Sequence, residues 1–186
     1  MENLASISLK PIGLLRTPYK QDGFCPSQPV NRDEGIVTIE LEKNLEQGLR
    51  DLKKFSHIIV LYYLDRAKFE GLEAKPPWAQ GRKVGLFASR SPHRPCPIAV
   101  SIVKLKALQG ATLTTTSIDA YDMTPVLDIK PYIPSIDSKK DANHGWIEDL
   151  PDWQHTMDHA TGLAHKHDHD GHHHDHIHNH GHDHEH

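Results

Sequence analysis

The stretch "AVSIVKLKALQGATLTTTSIDAY" (residues 99–121) predicts two strands joined by a turn, the pattern on which the fold class rests. Apolar and β-branched residues recur through 99–108 and again through 112–121, which is typical of strands, and the intervening "QGA" is a turn. We therefore predict two neighbouring strands here.

Five more segments have strand character. "ISLKPIGLL" (7–15) alternates, and its central proline indicates an edge strand or a bulge. "GIVTIEL" (35–41) alternates like a half-buried strand, whereas "HIIVLYYL" (57–64) is nearly all apolar, as expected of a strand buried on both faces. "KVGLFAS" (83–89) and "VLDIKPYI" (126–133) complete the set.

A single segment has helical periodicity. "NLEQGLRDLKKF" (44–55) spaces Leu45, Leu49 and Leu52 along one helical face, after Asn44 as a candidate N-cap. One helix among so many strands predicts a mainly β fold, a small single-domain β-barrel with one or two short helices.

The predicted organisation has three parts. The barrel domain spans residues 1–140, and a docking or linker segment, 141–158, carries the two tryptophans of "WIEDLPDW". Residues 159–186 have no capacity to form a core, so we predict a disordered histidine-rich tail.

Charge is distributed unevenly along the chain. The formal net charge is −4, yet residues 149–186 hold eight Asp or Glu against one Lys, a charge of −7 that leaves +3 on residues 1–148. Residues 74–118 contain seven Lys or Arg and no acidic residue. Such a stretch attracts phosphates or carboxylates, although it is equally compatible with a solvated face.

Several classes of protein are disfavoured. The sequence contains no GxGxxG after a strand, no P-loop, no GxSxG and no HExxH, so a nucleotide-like ligand would bind without the usual glycine-rich turn. The two cysteines, Cys25 and Cys96, form no CxxC motif and no disulfide framework, which fits a reducing interior. Nothing resembles a signal peptide or a membrane span of ~20 apolar residues, so we expect a soluble, cytoplasmic protein.

The segment "FASRSPHRPCPIAVS" (87–101) is the strongest candidate binding loop. Its three prolines fix φ and stiffen the backbone, which lowers the entropy lost on gripping a ligand. Arginine forks suit carboxylate and phosphate oxygens. The alternative is a loop that caps the sheet, with its arginines paired to acidic residues. The candidate functional side chains here are Arg90, Ser91, His93 and Arg94.

The tail predicts metal binding. Twelve of its last 22 residues are histidines in HxH-type spacings, and imidazole binds Zn, Ni, Cu and Co well. Asp, Asn, Gly and Ile interrupt the run, which favours a natural metal-binding tail over an affinity tag. The candidate ligands are His165, His167, His169, His172, His173, His174, His176, His178, His180, His182, His184 and His186.

Three blocks resemble the signatures of the TrmO (TsaA-like) family: "VGLFASRSPHRPCPIAVS", "FSHIIVLYYLDRA" and "IDAYDMTPVLDIKPYIPSID". The resemblance covers about residues 7–138. It implies a compact β-barrel that works as a homodimer and binds S-adenosylmethionine near the subunit junction. The implied reaction is methylation of threonylcarbamoyl-adenosine next to the anticodon of tRNA.

The resemblance also implies which residues bind the methyl donor. Arginine suits the donor's carboxylate, and Asp suits its ribose hydroxyls or ammonium group. Ser91, His93 and Arg94 are expected to hold the site's geometry or to contact the acceptor. The implied donor-binding set is Pro26, Ser27, Gln28, Asp65, Arg66, Arg90, Val100, Asp119, Ala120, Tyr121 and Asp122.

Four positions depart from the family's pattern. The family usually has His at Asp65, Asn at Cys96, Gly at Ala99 and Gly at Met123. These changes and the tail motivate two alternatives to a tRNA acceptor. One is a methyltransferase of the same fold acting on a small acceptor linked to metal metabolism. The other is a metal-handling protein that only binds S-adenosylmethionine.

Overall fold

The computed structural model describes residues 5–20 and 35–161, and side chains up to residue 158. Within these ranges six antiparallel strands close into a barrel with the order β1-β2-β7-β6-β3-β8, and β4 pairs with β5 in a separate small sheet. The prediction of a mainly β fold with few helices is confirmed. The strands are β1 (Gly13–Arg16), β2 (Val37–Leu41), β3 (His57–Tyr63), β4 (Glu73–Ala74), β5 (Val84–Gly85), β6 (Ile98–Gln109), β7 (Thr112–Thr115) and β8 (Pro125–Pro131).

The helices of the described residues are short. Two are α-helices, α1 (Pro134–Asp137) and α2 (Trp153–Thr161). The latter crosses the boundary predicted at residue 158, and the rest of the tail lies outside the described residues. The 3₁₀ helices span Lys43–Leu49, Leu52–Lys54, Leu86–Ala88 and Gly145–Asp149.

The single helix predicted at 44–55 is wrong. Two 3₁₀ helices occupy this region, separated by Asp51, whose φ of 69° is left-handed and cannot continue a right-handed helix. The first helix begins after Glu42 and not after Asn44, which therefore is not its N-cap. The leucine spacing does serve the core, since Leu49 is buried and Leu52 packs against the barrel interior.

β3 and β6 form the longest ladder of the barrel. Their register runs from His57 opposite Lys104 to Tyr63 opposite Ile98. β3 alternates between buried and half-buried residues, so it is not buried on both faces as predicted. The outer face of an antiparallel barrel is open to its surroundings, and this explains the alternation.

β1 is an interior strand and not the edge strand suggested by Pro11. It begins only at Gly13 and pairs with β2 on one side and β8 on the other. The proline precedes the ladder, where its missing N–H costs nothing, and the N–H of Ile12 already donates to the Val126 carbonyl at 2.8 Å.

The strand predicted at 112–121 ends early, at Thr115. The chain then leaves the sheet, although Thr116, Ser117 and Ile118 stay buried. The Thr116 side chain accepts a hydrogen bond from the N–H of Lys104, so the segment remains fixed to β6. This exit carries residues 119–122 away from the ladder.

All six barrel strands contribute to one hydrophobic core. Burying an aliphatic side chain of this kind contributes about 1.5–3 kcal/mol. In the described part of the chain, no helix is long and apolar enough to cross a membrane. The innermost aliphatic strand residues, each at most 3% exposed, are Leu15, Val37, Ile39, Ile58, Val60, Val103, Leu113 and Val126.

Candidate functional site

Residues 119–122 form a loop that is fastened to the barrel from two sides. The Thr17 hydroxyl donates to the Ala120 carbonyl at 2.8 Å in a buried hydrogen bond, and the Asp122 N–H donates to the Tyr19 carbonyl at 2.7 Å. On the other side, the Tyr62 hydroxyl donates to a carboxylate oxygen of Asp119 at 3.2 Å. The loop is therefore a rigid part of the fold.

Arg66 lies against this loop and has an unused donor. Its Nη2 donates to the Asp122 carbonyl at 2.9 Å, and its guanidinium carbon is 5.7 Å from the centre of the Tyr121 ring. Its Nη1 is buried and has no hydrogen-bond partner among the described residues. Leaving a buried charged donor unpaired is costly, so this atom marks a place where an acceptor from a ligand would fit.

Asp122 is held as a carboxylate. Lys20 Nζ lies 2.6 Å from Asp122 Oδ2, and the backbone N–H of Thr17 donates to Oδ1 at 3.2 Å. The Lys20 hydrogen bond, followed by the Thr17 hydrogen bond and the charges of Lys20 and Arg16, outweighs burial and lowers the pKa of Asp122. The ionised Asp122 and the unpaired Nη1 of Arg66 thus belong to the same loop region, joined by the hydrogen bond from Arg66 to the Asp122 carbonyl.

Met123 follows this carboxylate in a strained conformation. Its φ of 69° is left-handed, a conformation that glycine adopts more readily than any residue with a Cβ. The Met123 N–H donates to the Leu15 carbonyl at 2.8 Å, and its sulfur contacts the Arg16 guanidinium. The family's usual glycine at this position is therefore explained by the backbone.

The proline-rich loop is stabilised by three of its own four candidate side chains. Arg94 Nη1 donates to the Ser89 carbonyl at 2.9 Å and the Leu86 carbonyl at 3.3 Å. His93 Nδ1 lies 2.9 Å from the Lys68 carbonyl, and the Ser91 hydroxyl accepts from the His93 N–H at 3.3 Å. Arg90, by contrast, is exposed.

The remaining candidate residues are dispersed. Asp65 is exposed just after β3, and Val100 is 51% exposed on the outer face of β6. Pro26, Ser27 and Gln28 lie outside the described residues, as do the twelve tail histidines. Within residues 5–20 and 35–158, no group of three His, Cys, Asp or Glu side chains could hold a metal ion.

Several residues that build the site were not singled out from the sequence. Thr17 and Lys20 belong to the "RTPYK" turn that leads towards Pro26, but their partners lie about a hundred residues further along the chain. Tyr62 and Ser101 share a hydrogen bond of 3.0 Å beside Asp119, and each was read only as part of a strand. No local pattern in the sequence signals these long-range pairs.

The barrel and this loop are typical of the TrmO class, and the similarity of this chain to known proteins agrees with that class. Residues 14–138 match the family model of the tRNA-methyltransferase O N-terminal domain, so the chain belongs to that family. It is 39% identical over 142 residues to a probable S-adenosyl-L-methionine-binding protein of Pyrococcus abyssi, covering 76% of this chain and 77% of the relative. It is 34% identical over 157 residues to the tRNA (adenine(37)-N6)-methyltransferase of Escherichia coli, covering 80% and 67%.

A solved structure has the same fold. The crystal structure of TrmO from Pseudomonas aeruginosa superposes with a TM-score of 0.64 at 33% identity, over 81% of this chain and 65% of that chain. A probable S-adenosyl-L-methionine-binding protein of Archaeoglobus fulgidus is 43% identical over 143 residues, which are 77% of this chain and 38% of that relative. The chain thus spans only part of some of its relatives.

Asp122→Asn is expected to lower the free energy of unfolding at neutral pH by about 0.5–1.5 kcal/mol, because Lys20 and Thr17 lose a charged acceptor. The folded-state pKa of Asp122 is depressed, so its contribution is complete above the unfolded carboxyl pKa of about 3.9 and disappears as pH falls through the lower folded value. Urea denaturation at a series of pH values measures this.

The matched control is Asp128→Asn, which removes an exposed ion pair with Lys130 and should change stability by no more than about 0.5 kcal/mol. A gap between Asp122→Asn and wild type that stays constant down to pH 3 contradicts the assignment.

Proposed function

We propose that this chain is an S-adenosylmethionine-dependent methyltransferase that N-methylates threonylcarbamoyl-adenosine next to the anticodon of tRNA. The observation that carries the proposal is the buried, unpaired Nη1 of Arg66, which lies against the loop of residues 119–122 in a chain that belongs to the TrmO family. The names of the Pyrococcus and Escherichia coli relatives support the donor and the acceptor, respectively.

The donor-binding residues fit the chemistry of S-adenosylmethionine. Arg66 Nη1 and the exposed Arg90 are suited to the donor's carboxylate, since guanidinium groups form strong charge-assisted hydrogen bonds with it. Asp122, Asp119 and Asp65 offer acceptors to hydroxyl or ammonium groups. Pro26, Ser27 and Gln28, further family positions, begin six residues after Lys20 in the sequence.

The proposed chemistry needs positioning more than a nucleophilic side chain. The bound donor supplies an electrophilic methyl group on a sulfonium, so the transfer is a displacement by the acceptor nitrogen. This chain's residues orient the donor on a rigid loop, and well-oriented reactions reach effective molarities of about 10⁵–10⁸ M. Ser91, His93 and Arg94 act indirectly, because their contacts stiffen the loop that presents Arg90.

The charge distribution supports an RNA acceptor. The acid-free stretch 74–118 runs through β5, the proline-rich loop and β6, and Lys75, Arg90 and Lys104 are exposed along it. Exposed cations of this kind bind a phosphate backbone by releasing its counterions. A small acceptor or a protein that only binds the donor is less favoured, since relatives are named tRNA methyltransferases. A tRNA acceptor would also favour action in the cytoplasm.

A homodimer would bury an apolar surface on the barrel's outer face. β6 exposes Ile98, Val100 and Ile102 at 39%, 51% and 57%, and each lies opposite a half-buried apolar or aromatic residue of β3. Val100, an implied donor-binding residue, belongs to this surface. A second copy packed here would therefore place Val100 at the subunit junction, where the resemblance implies that the donor binds. The three facing pairs are Ile59–Ile102, Leu61–Val100 and Tyr63–Ile98.

The histidine-rich tail would bind divalent metal ions independently of the barrel. Its HxH spacings let neighbouring imidazoles share Ni, Zn, Co or Cu. Because histidine must be neutral to bind, protons would compete with the metal near its ordinary pKa of ~6.5. The support for this role is the sequence pattern alone.

Arg66→Met is expected to weaken binding of S-adenosylmethionine by about 10- to 100-fold, since it removes a charged hydrogen-bond donor. Titration calorimetry measures the affinity, and mass spectrometry of nucleosides from treated tRNA measures the methyl product. Arg50→Met, at an exposed turn, is the matched control and should bind normally. Unchanged affinity in Arg66→Met contradicts the site, and an unmethylated threonylcarbamoyl-adenosine with the wild type favours a small acceptor.

Ile102→Glu is expected to convert a dimer into a monomer, because it introduces a charge into the apolar surface that the second copy would bury. Light scattering coupled to size-exclusion chromatography gives the mass. Ile36→Glu alters an equally exposed isoleucine outside β6 and should leave the mass unchanged. A wild-type monomer, or an Ile102→Glu dimer, refutes this interface.

A chain ending at residue 161 is expected to lose most of its nickel or zinc binding while it retains methyl transfer to tRNA. Calorimetric titration with each metal gives the number of ions bound by the full and the shortened chain. Removal of the twelve histidines should lower that number. Equal metal stoichiometry in both chains would show that the ions bind elsewhere.

A further inference from the structure

A short segment beyond the family domain contacts the proline-rich loop (residues 87–101) directly. The segment Gly145–Asp149, which we call the strap, follows residue 138, where the family match ends. Its Trp146 indole N–H donates to the Ala88 carbonyl at 2.8 Å. Ala88 ends the 3₁₀ helix Leu86–Ala88 and precedes Arg90 by two residues. The strap therefore holds the backbone from which Arg90 extends.

Trp146 is fixed in place by several independent contacts. Its ring stacks on Trp78 with a centroid distance of 5.3 Å and an interplanar angle of 1°. The Arg82 guanidinium lies 5.4 Å from the Trp146 ring centre, and Arg82 also forms an ion pair of 3.1 Å with Asp149. Stacking, cation–π and ionic contacts together attach the strap to residues 78–82.

The proline-rich loop is thus held by hydrogen bonds to three carbonyl groups at its start. Arg94 reaches the carbonyls of Leu86 and Ser89 from within the loop, and Trp146 reaches the carbonyl of Ala88, between them, from the strap. Arg94 belongs to the family domain, whereas Trp146 lies outside it. With both anchors in place, the backbone next to Arg90 loses little further freedom when a ligand binds.

We propose that Trp146 is a positioning residue for the methyl-donor site, and that the strap sets donor affinity by fixing the loop that carries Arg90. This inference rests on the proposed function, because it takes Arg90 as a donor-binding residue. The strap contacts the loop's backbone and leaves Arg90 exposed, so its effect on the donor passes through Arg90.

The test compares Trp146→Phe with Trp153→Phe, the same chemical change at a tryptophan that packs against His144. Losing the hydrogen bond to Ala88 should weaken S-adenosylmethionine binding about three- to tenfold and raise the KM for the donor, with kcat nearly unchanged. Trp153→Phe should bind within about twofold of wild type. Combining Trp146→Phe with Arg90→Ala should add little to the loss caused by Arg90→Ala alone.

A second measurement needs no donor. Trypsin can cut after Arg90, which precedes Ser91, but not after Arg94, which precedes a proline. If the strap holds this loop, Trp146→Phe should speed cleavage after Arg90 several-fold relative to wild type and Trp153→Phe.

The outcomes separate the two proposals. Unchanged cleavage and unchanged affinity in Trp146→Phe, or fully additive losses with Arg90→Ala, overturn the positioning role even if the wild type binds the donor. A wild type that does not bind the donor overturns the proposed function and, with it, the role given to Arg90.

Discussion

The structure depends on the closure of the barrel by a four-residue strand. β1 pairs with β2 and with β8, and Leu15 at its centre is fully buried. This double pairing brings the end of β1 beside the start of β8, where the N–H of Leu15 donates to the Thr124 carbonyl at 2.9 Å. The candidate site follows from this closure, because Thr17 continues β1 and fastens Ala120, two residues before the Asp122 carbonyl that Arg66 contacts.

Electrostatics at the closed end favour a ligand that has both signs of charge. Lys20 and Arg16 keep Asp122 ionised, while Arg66 donates to the loop backbone and retains a buried donor. A carboxylate and a guanidinium thus belong to one loop region, linked through the backbone carbonyl of Asp122. A zwitterionic molecule matches such a region better than a simple anion or cation, since each sign of charge finds a partner.

Local patterns in the sequence predicted part of this arrangement. The apolar runs at 57–64 and 99–108 form β3 and β6. Long strands of this kind are predictable because they contain many apolar and β-branched residues in a row. The helix prediction failed at Asp51, whose left-handed φ interrupts the helix although Leu49 and Leu52 on either side both pack on the core. In the site, Asp122 and Arg66 followed from family motifs, whereas Lys20, 102 residues from its partner, had no local signal. Docking by the two tryptophans was predicted, but the Ala88 carbonyl as an acceptor was not.

Met123 adopts a backbone conformation that its own side chain disfavours, so the surrounding fold has to impose it. The restraint comes from the hydrogen bond to the Leu15 carbonyl, which belongs to β1. If β1 detached, the methionine would revert to an ordinary conformation and the neighbouring Asp122 carbonyl would move away from Arg66. Thermal opening of the barrel seam is therefore expected to disorganise the loop of residues 119–122 in the same step.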